Sequence, residues 1–260
     1  MIGWQGWRSR RGRQSAGRQW AALANSAMQG RRAPDPDLRD EALALHADLR
    51  RFLQHSDASP SRARDDLQLL DLPPGTDWRW RPMTLRGRIV PAALVAPENG
   101  QRFSDEVVLW HDCGHRAAIL RQVRNRQGTD LAHYGLSLEV MGFSGGYLSL
   151  SLDLPDAMQE DLGRDHVLRV DAQLSAERAM TVYGRINIAQ GPDTASMLRQ
   201  LGHPIEGRNN PRVVEFDLAY ADLAGRPADK VWLDLIFEAP AMNAVTLTDL
   251  VMSRHPRAQI

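Results

Sequence analysis

The chain has 260 residues, of which 43% are apolar and 25% charged, so it can bury the core of one large domain with an appendage. Its formal net charge is zero. No apolar run approaches the roughly 20 residues that a membrane-spanning helix needs, and the N-terminus lacks the pattern of a secretory signal peptide. We therefore expect a cytoplasmic location. Cys113 is the only cysteine, which excludes an internal disulfide and a multi-cysteine metal site, and we expect no cofactor.

The N-terminal segment, residues 1–33, is an arm rich in arginine and tryptophan. Residues 1–32 hold seven arginines and no acidic residue, which suits an anionic membrane or another polyanionic surface and would keep the protein peripheral to the inner membrane. The alternative is a solvated arm, because 31 of the 32 basic residues in the chain are arginine. Four glycines predict a weak helix before Arg18, with a short amphipathic helix from Trp20 onward. The residues assigned to surface binding are Trp4, Trp7, Arg8, Arg10, Arg11 and Arg13.

Residues 34–66 are predicted to form an amphipathic helix and a polar linker. Asp35 and Pro36 are typical of an N-cap followed by proline in the first helical turn. Apolar residues then recur every three or four positions until a predicted helix end near His55. They form a narrow seam of Leu38, Ala42, Leu45, Leu49 and Phe52. This seam suits docking on the following domain or self-association through the 36–55 helix.

In residues 67–260, short runs are separated by turn-forming glycine, proline and asparagine residues, and some runs alternate apolar and polar residues, as antiparallel strands do. In 148–154 and 231–238, alternate residues are apolar, which places one face of each strand in a core and the other in water. About ten strands are predicted, at 84–95, 105–111, 116–124, 135–142, 147–154, 166–175, 180–189, 212–220, 230–238 and 245–253. This pattern predicts a mainly β fold, a two-sheet antiparallel jelly-roll sandwich preceded by one or two N-terminal helices.

Metal-capable side chains cluster at residues 111–115. If this segment is extended, His111 and His115 lie about 13 Å apart, which is too far for one ion. We therefore predict a strand end that turns into the next strand, with Cys113 packed as a small apolar residue and no metal site. A metal site formed through a turn at Gly114 is the alternative.

Glu215 and Asp217 are the candidate catalytic pair. On one strand face their Cα atoms lie about 6.6 Å apart, a spacing compatible with the paired carboxyl groups of glycosidases. A general acid also needs a pKa raised by burial, whereas such a pair is common on a wet strand face. Catalysis is therefore the alternative hypothesis, not the favoured one.

A polar stripe on one predicted strand is the main candidate for ligand binding. Tyr183, Arg185 and Asn187 share one face and together offer a stacking ring, a charged fork and an amide. A second cluster of aromatic and arginine residues comprises Trp78, Trp80 and Arg81. Both sets suit a saccharide or an acidic ligand, and the alternative is an ordinary solvent-facing strand surface.

From about Pro73 to its end, the chain resembles an uncharacterised alphaproteobacterial family that carries only a domain-of-unknown-function label. The segments that carry this resemblance are 77–82, 145–150, 187–194 and 231–238. Residues 237–252 also resemble the final hairpin of the jelly rolls found in carbohydrate-binding modules. The resemblance implies a sandwich fold but supplies no reaction.

The sequence therefore predicts an arm at 1–33, a helix and linker at 34–66 and a sandwich at 67–260. The favoured function is a non-catalytic binding or assembly protein for a saccharide-like or anionic ligand. Two alternatives stay open: a glycan-active hydrolase using Glu215 and Asp217, and a purely structural subunit.

Overall fold

The computed structural model describes residues 4–28, 35–57, 71–127 and 130–257. The chain divides into two compact units, Met1–Arg51 and Phe52–Ile260. The predicted boundaries after residues 33 and 66 fall outside the described residues, so the three-part division stays a prediction.

Two long helices, α1 (Trp4–Met28) and α2 (Pro36–Asp57), come first in the chain. The start of α2 agrees with the predicted cap, because Asp35 Oδ1 accepts a hydrogen bond of 3.2 Å from Asp37 N and Asp35 O accepts one of 3.0 Å from Arg39 N. The helix ends two residues beyond the predicted His55. No helix in the described part of the chain is long and apolar enough to cross a membrane.

The α1 helix is longer than the sequence predicts. It continues through Gly12 and Gly17, where a weak helix is expected. At both positions no atom lies within 4 Å of an added Cβ, so each glycine costs only helix propensity, about 1 kcal/mol. The neighbouring arginine, glutamine and alanine residues are strong helix formers, which accounts for the continuous helix.

Thirteen strands and a short helix, α3 (Met83–Arg86), follow in the described residues. The strands are β1 (Trp78–Trp80), β2 (Ala93–Val95), β3 (Gln101–Arg102), β4 (Val107–His111), β5 (Ala118–Arg124), β6 (Tyr134–Val140), β7 (Leu148–Asp153), β8 (His166–Met180), β9 (Val182–Gln190), β10 (Asp193–Gln200), β11 (Ile205–Asp217), β12 (Lys230–Phe237) and β13 (Asn243–Pro256). Each predicted strand segment overlaps one of them. The segment 84–95 forms a strand only at its end, because α3 and a loop occupy the rest.

The strands form two antiparallel sheets. The seven-stranded sheet has the order β11-β8-β13-β6-β5-β2, with β1 also paired to β13, and the six-stranded sheet has the order β10-β9-β12-β7-β4-β3. From β6 to β9 the chain alternates between the sheets, and β11, β12 and β13 do so again. The predicted mainly β, two-sheet jelly-roll class with N-terminal helices is confirmed.

The core lies between the two sheets and is built by the predicted alternation. Leu148, Leu150 and Leu152 of β7 and Leu233 and Leu235 of β12 are at most 2% exposed and belong to one hydrophobic cluster. The intervening residues of both strands therefore point away from the core, onto the outer face of the six-stranded sheet. This outer face carries the candidate site.

Candidate functional site

The pairing register aligns polar side chains in rows across the outer face of the six-stranded sheet. Residues directly opposite one another on neighbouring strands point to the same side. Val108 on β4 pairs with Ser151 on β7, Ser151 with Asp234 on β12, and Asp234 with Arg185 on β9. Four strands that are distant in sequence thus contribute to one continuous row.

Aromatic residues lie on both sides of this row. Trp110 pairs with Ser149 at one end, and Trp232 pairs with Asp153 at the other. Strand spacing and rise per residue place the two tryptophan Cα atoms about 16 Å apart. Trp110 and Tyr147 are each 42% exposed, an unusual exposure for large rings that marks them as available contact surface.

These residues line a cleft with a volume of about 370 Å³. Its lining comprises Arg102, Val108, Trp110, Tyr147, Ser149, Ser151, Asp153, Arg185, Lys230, Trp232 and Asp234. The floor is polar and carries both charge signs, whereas the aromatic rings lie toward its ends. Such a combination of stacking surface and hydrogen-bonding groups is typical of a small-molecule site.

A larger groove of about 430 Å³ lies on the outer face of the other sheet. It is lined by Arg121, Ser137, Glu139, Ser175, Ala176, Glu177, Gly207, Arg208, Ala244 and Thr246. No aromatic ring is among these residues, so the groove offers no stacking surface. Chemistry rather than volume therefore identifies the cleft as the better candidate.

Asp234 forms the centre of the cleft floor. It is 3% exposed, and its Oδ2 accepts hydrogen bonds from Arg185 Nη2 at 2.8 Å, Arg185 Nε at 3.1 Å and Asn187 Nδ2 at 2.9 Å. Its Oδ1 accepts a hydrogen bond from Ser151 Oγ. A buried carboxylate requires such partners, and here they hold Arg185 in a fixed orientation at the surface.

Asp153 organises the end of the cleft near Trp232. Its Oδ1 lies 2.8 Å from Lys230 Nζ, and its Oδ2 lies 3.0 Å from Arg102 Nη2. Lys230 is the only lysine in the sequence, and its ammonium nitrogen lies 5.5 Å from the centre of the Trp232 ring. This is the geometry of a cation–π contact, which places positive charge beside the aromatic surface.

The segment 111–115 supports the other end of the cleft. His111 is 2% exposed, its Nδ1 accepts a hydrogen bond of 3.2 Å from Cys113 N, and its Nε2 lies 3.0 Å from Pro97 O. Both ring nitrogens therefore have backbone partners, and this pairing selects the tautomer protonated at Nε2. Among the described residues no group of three or more His, Cys, Asp or Glu could hold a metal ion.

Two contacts position the aromatic residues at this end. Asp112 Oδ1 accepts a hydrogen bond of 3.1 Å from Tyr147 N, and this bond, with a second from Gly146 N, lowers the pKa of Asp112. Gly100 has φ +73°, and a Cβ there would lie 2.8 Å from Cζ3 of Trp110. The Trp110 ring thus packs directly on the glycine, which explains why a residue without a side chain occupies this turn.

The structure separates the two predicted ligand-binding sets. Arg185 lines the cleft, and Asn187, 5% exposed, supports the floor by donating to Asp234. Tyr183 lies on the same face, opposite Ile236, but does not line the cleft.

Trp78 and Trp80 belong to the other sheet, and Arg81 follows them directly. The two tryptophans lie on β1, stack with ring centres 6.5 Å apart and pack against the core. Arg81 is 1% exposed and makes a two-pronged ion pair with Asp249, at 2.8 and 2.9 Å. The structure therefore does not bring this cluster together with the stripe on β9.

Glu215 and Asp217 lie on β11, at the edge of the seven-stranded sheet. Glu215 lies 3.8 Å from Arg169 Nη1, and Asp217 Oδ2 accepts a hydrogen bond of 2.9 Å from Arg257 Nε. Burial raises the pKa of Asp217, but the hydrogen bond from Ala219 N and the Arg257 guanidinium outweigh it, so the pKa is lowered. A lowered pKa is the opposite of what a general acid requires.

The predicted surface-binding arm is only partly described. Trp4, Trp7, Arg8, Arg10 and Arg11 fall within the bounds of α1, but their side chains lie outside the described residues. Arg13 is exposed. Binding to an anionic surface through residues 1–32 and self-association through the 36–55 helix both stay predictions.

Sequence reasoning missed most of the cleft. It placed Ser149, Ser151 and Asp153 on one outward face and Trp232 and Asp234 on another, without joining them. It also expected those faces to be wet, whereas Ser149, Ser151 and Asp234 are at most 7% exposed, because cleft side chains cover them. The alternation of apolar and polar residues in β4, β7 and β12 could have identified the outward-facing residues. It does not show which strands are neighbours in the sheet.

The fold and the cleft define a β-sandwich protein with a ligand-sized, aromatic-lined site on one sheet. The chain belongs to DUF6478, a family of unknown function, whose profile matches residues 3–260. A search of curated proteins found no match.

Solved structures with a similar arrangement of strands include two carbohydrate-binding modules. The xylan-binding CBM22-1 domain from Paenibacillus barcinonensis is 9% identical, with a TM-score of 0.37 over 64% of this chain and 94% of that one. A family 11 module from Clostridium thermocellum is 12% identical, with a TM-score of 0.37 over 62% and 94%.

The enzymatically active domain of a bacteriophage CBA120 tailspike protein is 9% identical, with a TM-score of 0.39 over 59% of this chain. This match covers only 20% of the tailspike chain. At these identities the likeness concerns the fold alone.

Proposed function

We propose that this protein binds a saccharide, without catalysis, in the cleft on the outer face of its six-stranded sheet. The observation that carries the proposal is the exposure of Trp110 and Tyr147 at one end of a polar floor that has Trp232 at its other end. Sugar rings have apolar faces that stack on aromatic rings and hydroxyl edges that need hydrogen-bond partners. The cleft offers both kinds of contact in one place.

The spacing of the rings supports an elongated ligand. Tryptophan Cα atoms about 16 Å apart are too distant to contact a single sugar ring together. Between them the floor, lined by Ser149 and Ser151, presents the half-exposed guanidinium of Arg185. An oligosaccharide can stack at both ends and hydrogen-bond along its middle.

The carboxylates of the cleft favour binding over hydrolysis. Both oxygens of Asp153 contact cations, and both oxygens of Asp234 accept hydrogen bonds from the protein. A catalytic acid or nucleophile needs an oxygen free to reach the glycosidic bond. Neither residue presents one, so the carboxylates serve to hold the surrounding cations and amide in place.

A glycan array followed by calorimetric titration tests this proposal. Trp110→Ala and Trp232→Ala should each weaken binding of the oligosaccharide selected by the array roughly tenfold or more, since each removes a stacking surface. Tyr220→Ala is the matched control, because Tyr220 is 73% exposed and does not line the cleft. Thermal unfolding of each variant separates a lost contact from a lost fold.

Two results would contradict the proposal. If both tryptophan variants bind as tightly as the wild type, the ligand occupies another surface. If no glycan binds the wild-type protein, the structural-subunit hypothesis takes precedence.

A further inference from the structure

One hydrogen-bonding edge of the Arg185 guanidinium lacks a protein partner among the described residues of the cleft. A guanidinium presents two forked edges, one formed by Nε and Nη2 and the other by Nη1 and Nη2. The first edge is occupied, because both Nε and Nη2 donate to Asp234 Oδ2. Arg185 makes no hydrogen bond through Nη1 within the described residues, and its side chain is 44% exposed. The second edge is therefore available to a ligand.

The charges around this edge favour an anion. Three cations, Arg102, Arg185 and Lys230, line the cleft with two carboxylates, so the formal charge of the lining is +1. Both carboxylates are engaged by cations. The chain beyond residue 32 has 25 basic and 32 acidic residues, a net charge of −7, so the cleft is locally positive on a negative background. Such a contrast attracts anionic groups to the cleft.

The position of Arg185 relative to Trp232 specifies where the anion would lie. Trp232 pairs with Asn187 and Asp234 pairs with Arg185, so Trp232 and Arg185 are diagonal neighbours, about 7 to 8 Å apart at Cα. Lys230 precedes Trp232 by two residues on the same strand, in the direction away from Arg185, and its Nζ lies over the Trp232 ring. A sugar ring stacked on the accessible part of Trp232 would therefore lie close to both cations, and its acidic substituent would reach the open edge of Arg185.

We infer that the ligand of the cleft is an acidic saccharide whose carboxylate binds the open edge of Arg185 while its ring stacks on Trp232. This inference rests on the proposed saccharide-binding function and specifies its ligand class. A carboxylate matches the planar fork with two parallel hydrogen bonds, a match that lysine cannot reproduce. A hexuronate residue supplies both the ring and the carboxylate.

Matched pairs of acidic and neutralised oligosaccharides provide the test. Oligogalacturonate, alginate and hyaluronan oligosaccharides are titrated by calorimetry beside their carboxyl methyl esters, which keep the rings and remove the charge. We expect at least one acid to bind about tenfold or more tightly than its ester, with affinity falling as salt rises. A sulfated oligosaccharide in the same series tests the other common source of anionic charge, and a preference for it would overturn the carboxylate assignment.

Two arginine variants locate the effect. Arg185→Lys keeps the charge but loses the fork, so it should weaken the acid about tenfold and change the ester less than about twofold. Arg226→Lys is the control, because Arg226 is 48% exposed, pairs with Asp193 at 2.9 Å and does not line the cleft, and it should change both affinities little. An equal loss for acid and ester in Arg185→Lys would show that Arg185 only supports the floor, which contradicts the inference.

The outcomes separate this inference from the function on which it rests. If acid and ester bind equally and Trp232→Ala abolishes both, the cleft binds saccharides but does not select charge. If no oligosaccharide binds, both proposals fail.

Discussion

Replacing Glu106 with glutamine removes a carboxyl group that lies largely buried against the start of α3. Glu106 Oε2 accepts a hydrogen bond of 2.7 Å from Met83 N. Burial nevertheless dominates and raises the pKa of Glu106 from 4.5 to about 7. Between these values the folded protein holds a proton that the unfolded chain has released, so the free energy of unfolding must fall as the pH rises from 4.5 to about 7.

The size of this effect follows from the same values. The gap between 4.5 and about 7 corresponds to about 3 kcal/mol, at about 1.4 kcal/mol for each pH unit. Glutamine has the same shape and does not titrate in this range. We therefore expect the free energy of unfolding of Glu106→Gln, relative to wild type, to rise by about 2 to 3 kcal/mol between pH 4.5 and pH 8. Any effect of the glutamine amide on the free energy of unfolding that does not depend on pH cancels when the two pH values are compared.

Urea titrations of both proteins at pH 4.5, 6 and 8 measure this difference. Glu98→Gln is the control, because the Glu98 side chain is 70% exposed and forms a surface ion pair with Arg116 at 3.2 Å. Its effect should stay below about 1 kcal/mol at every pH. If the difference between Glu106→Gln and wild type is the same at all three pH values, burial does not control this carboxyl group and the reasoning is refuted.

Two further predictions concern the cleft and the arm. Gly100→Ala should displace the Trp110 ring, because the new Cβ would lie 2.8 Å from Cζ3 of that ring. We expect this variant to show changed tryptophan fluorescence and weaker saccharide binding. Unchanged fluorescence and affinity would contradict the packing of this turn. The full chain should sediment with anionic vesicles through residues 1–32, and this binding should weaken steeply with salt. Equal sedimentation with neutral vesicles would exclude a charge-driven mechanism.

The sequence was sufficient for the sandwich because its central strands alternate strictly. In β7 and β12 every second residue is apolar, and those residues form the core. The short strands β1 and β3 carry too few residues to show a period, and β10 follows a Gly-Pro turn with no regular alternation, so sequence reasoning missed all three.

The cleft could not be predicted in the same way, because it depends on which strands are neighbours. β4, β7, β12 and β9 lie side by side in the sheet, although in the sequence the first residue of each lies 34 to 48 positions from that of the next. Hydrophobic period determines which side of a strand faces outward, but long-range pairing determines which outward side chains meet. The predicted Arg185 therefore appears in the site, while its partner Asp234, 49 residues later, was not connected to it.

The lysine at position 230 is consistent with the proposed stacking of a sugar on Trp232. Every other basic residue of this chain is arginine. An arginine at this position could lay its planar guanidinium on Trp232 and cover the ring surface that a sugar needs. A lysine ammonium is compact, so it can bond to Asp153 Oδ1 at 2.8 Å and contribute charge from 5.5 Å above the ring centre without stacking on it. Under the proposed function, the single lysine among the lysine and arginine residues thus places a positive charge near Trp232 without covering its ring with a guanidinium.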